Sequence, residues 1–385
     1  MIDDTSLQTV FEKSGLPGGV ALITDARGVT YSRAFGQSDA LEGAPMAQDT
    51  IFQIASMTKP LVTVAAMQLV EQEKLSLDAP IGGVLPALAD PQVITGFELD
   101  GRPNTRAAMR PITLRHLLTH TSGLGYIFVQ PEVLKHFQHA GMPAPGSMAS
   151  VTMPLLFDPG DKWEYGVSTD WVGLAIEAVT GMRLQDYLSA NVLEPLGMTQ
   201  TAFRDALPGG AAKVHARQAD GSLAILPLFI GGGEFDSGGG GLTSTAADYA
   251  RFMRMMLNGG ELDSNRILSA ESVMAMSTNQ IGDLRAGAMG TSMPDVAQPF
   301  DQFPDQHTGW TLGFLTNPEA IEGRRSAHSL SWAGIFNSYF WIDPAGGVGG
   351  LFMTQLSPFG DPGALACFEA VERMAYPQSA ADNPP

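Results

Sequence analysis

The apolar positions of this chain change their period several times, and each change predicts an element. Leu7, Val10 and Phe11 recur at helical spacing, and Gly15 and Pro17 end that run. Two β-type runs follow, 20–24 and 29–35, joined as a hairpin by Asp25-Ala26-Arg27-Gly28. From residue 56 to about 200 the pattern is mainly helical. Apolar residues keep helical spacing over 56–73, a short helix is predicted over 113–120 before Thr121-Ser122-Gly123, and another over 168–180 ends at Gly181. The glycine-rich stretch 237–241 precedes Thr245-Ala246-Ala247-Asp248, which reads as a capping box opening a helix that runs to Asn258-Gly259. Strand signals return at 328–332, 337–343 and 348–355, with the turn Pro344-Ala345-Gly346-Gly347 between the last two. Asp361 then caps a helix with Pro362 at its first position, and Leu365, Phe368, Val371 and Met374 share one face of it. The tail from Pro377 is expected to fray.

Strands at both ends with helices between them predict an α+β fold. One antiparallel sheet is built from both termini and flanked by the N- and C-terminal helices, and a mostly helical domain is inserted into it. The expected division is 1–55 with 305–385 for the sheet domain and 56–304 for the helical one, with the active site at their interface.

Composition narrows the function classes. The 385 residues are 44% hydrophobic and 16% charged, as in ordinary globular domains. A net charge of -18 disfavours nucleic acid and anionic membrane as partners. No apolar run reaches the length of a membrane span. Met1-Ile2-Asp3-Asp4 has neither the basic nor the apolar region of a secretory signal, so a cytoplasmic location is expected. The single cysteine, Cys367, sits in an apolar helical pattern and is expected to be a buried thiol. No cofactor is suggested. The runs 231–233 and 238–241 lack the Gly-Lys-Ser/Thr of a phosphate loop, and His116 and His120, at i and i+4, lack the glutamate and third ligand of a zinc site. No Gly-x-Ser-x-Gly elbow is present, which argues against an α/β-hydrolase. The oligomeric state is left open.

Three short segments could carry chemistry. In Ser56-Met57-Thr58-Lys59, a serine at a helix start has a lysine one turn on, facing the same way. A serine hydroxyl needs such a base, and a desolvated lysine can lose its proton. Of the chain's lysines, Lys59 alone follows a serine by three residues, and Phe52, Ile54, Leu61 and Val62 around it argue against an open surface. Tyr165, ahead of the helix near Ser168, is either a core aromatic or a phenol that shuttles a proton. Ser331-Trp332-Ala333-Gly334-Ile335 is either a bend or a strand whose small residues let a ligand approach the backbone, with the Ile335 amide able to join that of Ser56 as an oxyanion hole.

Taken together, 52–59, 112–124 (Ile-Thr-Leu-Arg-His-Leu-Leu-Thr-His-Thr-Ser-Gly-Leu) and 239–248 (Gly-Gly-Gly-Leu-Thr-Ser-Thr-Ala-Ala-Asp) resemble, in order, segments of the serine β-lactamase and penicillin-binding-protein superfamily, and of its class C-like branch. The resemblance extends over about 18–356 and implies Ser56 as nucleophile with Lys59 and Tyr165 as proton-transfer partners. Two departures stand out. Tyr165-Gly166-Val167 occupies the place of Tyr-x-Asn, and Trp332-Ala333-Gly334 that of Lys-Thr-Gly. A tryptophan there is similar to family VIII carboxylesterases. The resemblance therefore implies a carboxylesterase acting on a small-molecule ester, with Trp332, Gly334 and Tyr126 lining the substrate site. The alternatives are an acyltransferase using an alcohol acceptor, a β-lactamase or D-amino-acid peptidase, and a catalytically silent binding relative.

Overall fold

The computed structural model describes residues 4–376, so the expected fraying from Pro377 lies outside the described residues. Helix α1 is Thr5–Ser14, and Gly15 closes it in the left-handed region at φ 64°. Strands β1 (Gly18–Asp25), β2 (Val29–Asp39) and β3 (Ala44–Pro45) come next. Five strands return near the other end: β4 (Gly309–Trp310), β5 (Leu315–Thr316), β6 (Leu330–Gly334), β7 (Ser338–Asp343) and β8 (Val348–Met353). All eight form one antiparallel sheet in the order β4-β5-β6-β7-β8-β1-β2-β3. The central pairing joins the two ends of the chain, with Val20 opposite Met353 and Leu22 opposite Leu351.

Strands β1, β6, β7 and β8 are buried on both faces, which is why β1, β7 and β8 read as nearly continuous apolar runs, whereas the edge strands β2 and β3 are partly exposed. Ala21, Ile23, Tyr339, Trp341 and Phe352 face α1 and the C-terminal helix, α6 (Pro362–Ala375), where Leu7, Cys367, Phe368 and Val371 meet them. The Cys367 thiol is buried there and is pushed up to about 12. The alternate residues Val20, Leu22, Phe340, Ile342 and Leu351 point the other way, into the larger core.

That larger core contains α2 (Thr58–Glu71), α3 (Leu114–Leu118), α4 (Ser168–Thr180) and α5 (Ala246–Leu257). Helix α2 is buried on every side from Thr58 to Leu69, with Lys59, Thr63 and Gln68 as polar residues among apolar ones. The middle of the chain also holds strands that periodicity does not show, among them the hairpin Gln92–Phe97 with Pro103–Ala107 and the short strand Leu242–Ser244. The Thr245 hydroxyl accepts from Asp248 N, but the reciprocal half of the expected capping box is missing. The Asp248 carboxylate turns instead to Gln200 N and Thr201 Oγ1. A complete box forms at α3, where Thr113 and His116 cap each other.

Candidate active site

Ser56 does not open the α-helix directly. It lies on a single 3₁₀ turn, Ala55–Met57, which runs into α2. Ala55 before it has φ 46°, a left-handed conformation that strains an alanine by about 1–3 kcal/mol. Tertiary contacts hold that turn. Ile54 N donates to Leu242 O, and strand β6 presses on the turn from the other side. A Cβ at Gly334 would sit 2.5 Å from Ile54 O, so glycine is what lets β6 pass this close. Ser56, Trp332, Gly334 and Ile335 thereby border one cleft.

Lys59 lies one turn along from Ser56. Its side chain is 1% exposed, and Nζ is 3.1 Å from Ser56 Oγ. The amine also donates to Tyr126 Oη at 3.2 Å and to Gly239 O at 2.7 Å. Burial pulls the Lys59 pKa down to about 7, with Asp170 pulling the other way. A lysine in this state offers a free amine near neutral pH. Tyr165, immediately before α4, sits on the other side. Its hydroxyl accepts from Trp332 Nε1 at 3.0 Å and is also hydrogen-bonded to Ser56. Burial raises the Tyr165 pKa well above its ordinary 10, so the phenol keeps its proton at neutral pH. If Lys59 is the base, kcat/KM rises with pH through about 7, because only the free amine accepts a proton, and Tyr165 causes no fall up to about pH 10. A pH–rate profile checks this, and an acid limb near pH 4–5 would point to a carboxylate base instead.

Trp332 stands in the cleft wall, and its Nε1 donates a hydrogen bond to Tyr165. Tyr126 reaches Lys59 with its hydroxyl, while its ring stacks on Phe128 at 4.9 Å. Gln130 ties the two tyrosine segments together, accepting from Tyr126 N and donating to Tyr165 O. Residues that periodicity did not single out complete the cleft: Phe128, Met289, Ala297, Gln298 and Phe359, all from loops. The described lining is uncharged. His116 and His120 do not converge. His116 caps α3, and His120 is buried against Tyr165 and Trp310, where burial depresses its pKa.

The beta-lactamase family matches this chain over residues 5–368. The lovastatin esterase of Penicillium rubens is 32% identical over 362 residues, covering 88% of this chain and 89% of that protein. The monacolin J acid methylbutanoyltransferase of Aspergillus terreus is 30% identical, covering 97% and 95%. Among solved structures, simvastatin synthase (LovD) from Aspergillus terreus superposes with a TM-score of 0.81 at 28% identity, covering 97% of this chain and 98% of that one. A hydrolase with promiscuous acyltransferase activity, EstCE1, has the same fold, with a TM-score of 0.75 at 23% identity and coverage of 97% and 100%. The chain has an α+β fold in which Ser56 and Lys59 meet at the edge of one cleft. It belongs to the beta-lactamase family of serine hydrolase-like enzymes. Among the described residues, no helix is long and apolar enough to cross a membrane.

Proposed function

We propose that this protein is a serine esterase that works through an acyl-enzyme on Ser56. The observation that carries the reading is Lys59 Nζ, buried with a pKa near 7, at 3.1 Å from Ser56 Oγ at the edge of an uncharged cleft. Ser56 attacks the ester carbonyl and Lys59 takes its proton. The amides of Ser56 and Ile335 hold the oxyanion. Tyr165, a neutral phenol bonded to Ser56, passes its proton to the departing alcohol, and the Lys59 ammonium then returns a proton to the Tyr165 phenolate, which frees the amine. Water attacks the acyl-enzyme as Lys59 takes its proton, and that proton goes to Ser56 Oγ as the acid leaves.

A second reading has specific support. Two of the relatives above are named for different reactions: one is a lovastatin esterase and the other a monacolin J acid methylbutanoyltransferase. An acyl-enzyme on Ser56 would serve either reaction, with water or an alcohol as the acceptor. An apolar wall of Phe128, Met289, Ala297 and Phe359 suits a short branched acyl chain.

Neither departure favours β-lactams. Val167 is buried and offers no side-chain hydrogen bond, and the Trp332 N–H is already engaged by Tyr165. A carboxylate in this cleft finds no cation, and one charge-assisted partner is worth about 1.5–3 kcal/mol. The expected result is a kcat/KM for p-nitrophenyl butyrate at least ~10–100-fold above that for a chromogenic cephalosporin. A better rate on the cephalosporin would reverse the reading. Adding a small alcohol to the ester assay reports the partition. A new ester product marks acyl transfer, and acid alone marks hydrolysis.

A further inference from the structure

Asp170 plays no part in the steps above, yet the geometry ties it to them. It lies in the first turn of α4 and is 3% exposed. Its Oδ1 accepts from Ser237 Oγ at 2.6 Å and from Gly239 N at 3.0 Å. The carbonyl of the same Gly239 accepts from Lys59 Nζ at 2.7 Å. One residue of backbone thus separates the carboxylate from the amine. The packing leaves no room for more. A Cβ on Gly239 would lie 2.4 Å from Asp170 Oδ2, and one on Gly238 would lie 2.6 Å from Thr169 O.

A clamp on Gly239 needs only an acceptor, and a neutral asparagine would supply one. A carboxylate is far harder to bury, so its charge needs a use. The groups facing Lys59 Nζ are the Ser56 and Tyr126 hydroxyls, the Gly239 carbonyl and the Tyr165 ring, 4.6 Å away, with Asp170 and His120 acting at longer range. Burial and Lys59 both keep His120 neutral, which leaves Asp170 as the one acid among them; burial raises its pKa, and Lys59 with the Ser237 and Gly239 donors works against that rise in favour of the carboxylate.

We propose that Asp170 is a positioning residue for Lys59: through Gly239 it fixes the amine, and its negative charge stabilises the lysinium that forms when Ser56 is deprotonated. The inference rests on the Ser56–Lys59 reading above. As Ser56 Oγ bonds to the carbonyl carbon, its proton passes to Nζ and the carbonyl π pair moves to oxygen. Asp170 gives up no proton and takes none. Its role matches the third member of an acid–base–nucleophile set, acting here across a peptide backbone.

The test is Asp170→Asn, which keeps the acceptor and removes the charge. The rate at which a fluorophosphonate labels Ser56 is measured against pH, alongside kcat and KM on p-nitrophenyl butyrate. A lysine without its counter-charge holds its proton less firmly, so the acid limb of the variant moves to lower pH. The plateau rate and kcat fall at least ~10-fold while KM changes by less than about threefold. A folded variant with an unmoved limb and a kcat close to wild type overturns the proposal. If thermal melting shows that D170N does not fold, Ser237→Ala, which removes one donor to the carboxylate, gives a smaller shift in the same direction. A Ser237→Ala limb that coincides with wild type is then the overturning result. Wild-type protein that takes no label at Ser56 overturns the nucleophile reading itself, whereas a labelled wild type with an unmoved D170N limb removes Asp170 alone.

Discussion

Ser56→Ala is expected to lower ester turnover by at least ~10³-fold while the melting temperature stays close to wild type. The loss is large because the hydroxyl is the bond-forming atom, and removing a nucleophile typically costs several orders of magnitude. The fold should tolerate the change. Ser56 is only half-buried, and the turn that carries it is held by Ile54 and by the passage of β6, with no need of the hydroxyl. Removing Oγ also relieves Lys59 of one contact and leaves it Tyr126 and Gly239. A variant retaining more than about a tenth of wild-type turnover loses only 1.4 kcal/mol of barrier, too little for a nucleophile, and the assignment would fall.

Lys59→Ala and Tyr165→Phe are each expected to be severely impaired, by ~10²-fold or more, with the double variant little worse than the poorer single. Both groups bond to Ser56 and serve the proton that leaves it. Once one is gone, the relay is broken and the other has little left to contribute. Lys59→Ala also empties space in a fully buried position and leaves the Gly239 carbonyl without its 2.7 Å donor, so its stability should fall as well. Tyr165→Phe deletes one oxygen and strands only the Trp332 N–H, which makes it the cleaner probe. The readout is a double-mutant cycle on kcat/KM. Fully additive losses would place one of the two outside the proton path.

Much of this was legible in the sequence where structure is local. Helices α2 and α4, the terminal helices and strands β1, β2, β6, β7 and β8 follow from period and caps, whereas the two-residue strands β3, β4 and β5 are too short to show a period, and the spacing from Ser56 to Lys59 survives the replacement of an α-helical start by a 3₁₀ turn. The hairpin Gln92–Phe97 with Pro103–Ala107 was not legible because it is mostly exposed and lacks the alternation that burial on one face imposes. The far wall of the cleft escaped for another reason. Met289, Ala297 and Phe359 are brought together by single bridges, Met289 with Phe300 and Ala297 with Phe359, and loops carry no period. Asp170 was hidden by an ordinary signal, since an acid in the first turn of a helix is what the dipole favours anyway. Only the approach of the 237–241 loop shows that its partners lie elsewhere. Trp332 was read as a wall because its hydrogen bond depends on a tyrosine 167 residues away in the chain.

The central claim is that Ser56 carries the acyl group. The most direct measurement is covalent labelling with a fluorophosphonate, followed by peptide mapping and by residual esterase activity on the same samples. The account predicts one label per chain, on Ser56, with activity lost in proportion to labelling. A label on another residue, or full esterase activity in protein fully labelled at Ser56, would contradict it.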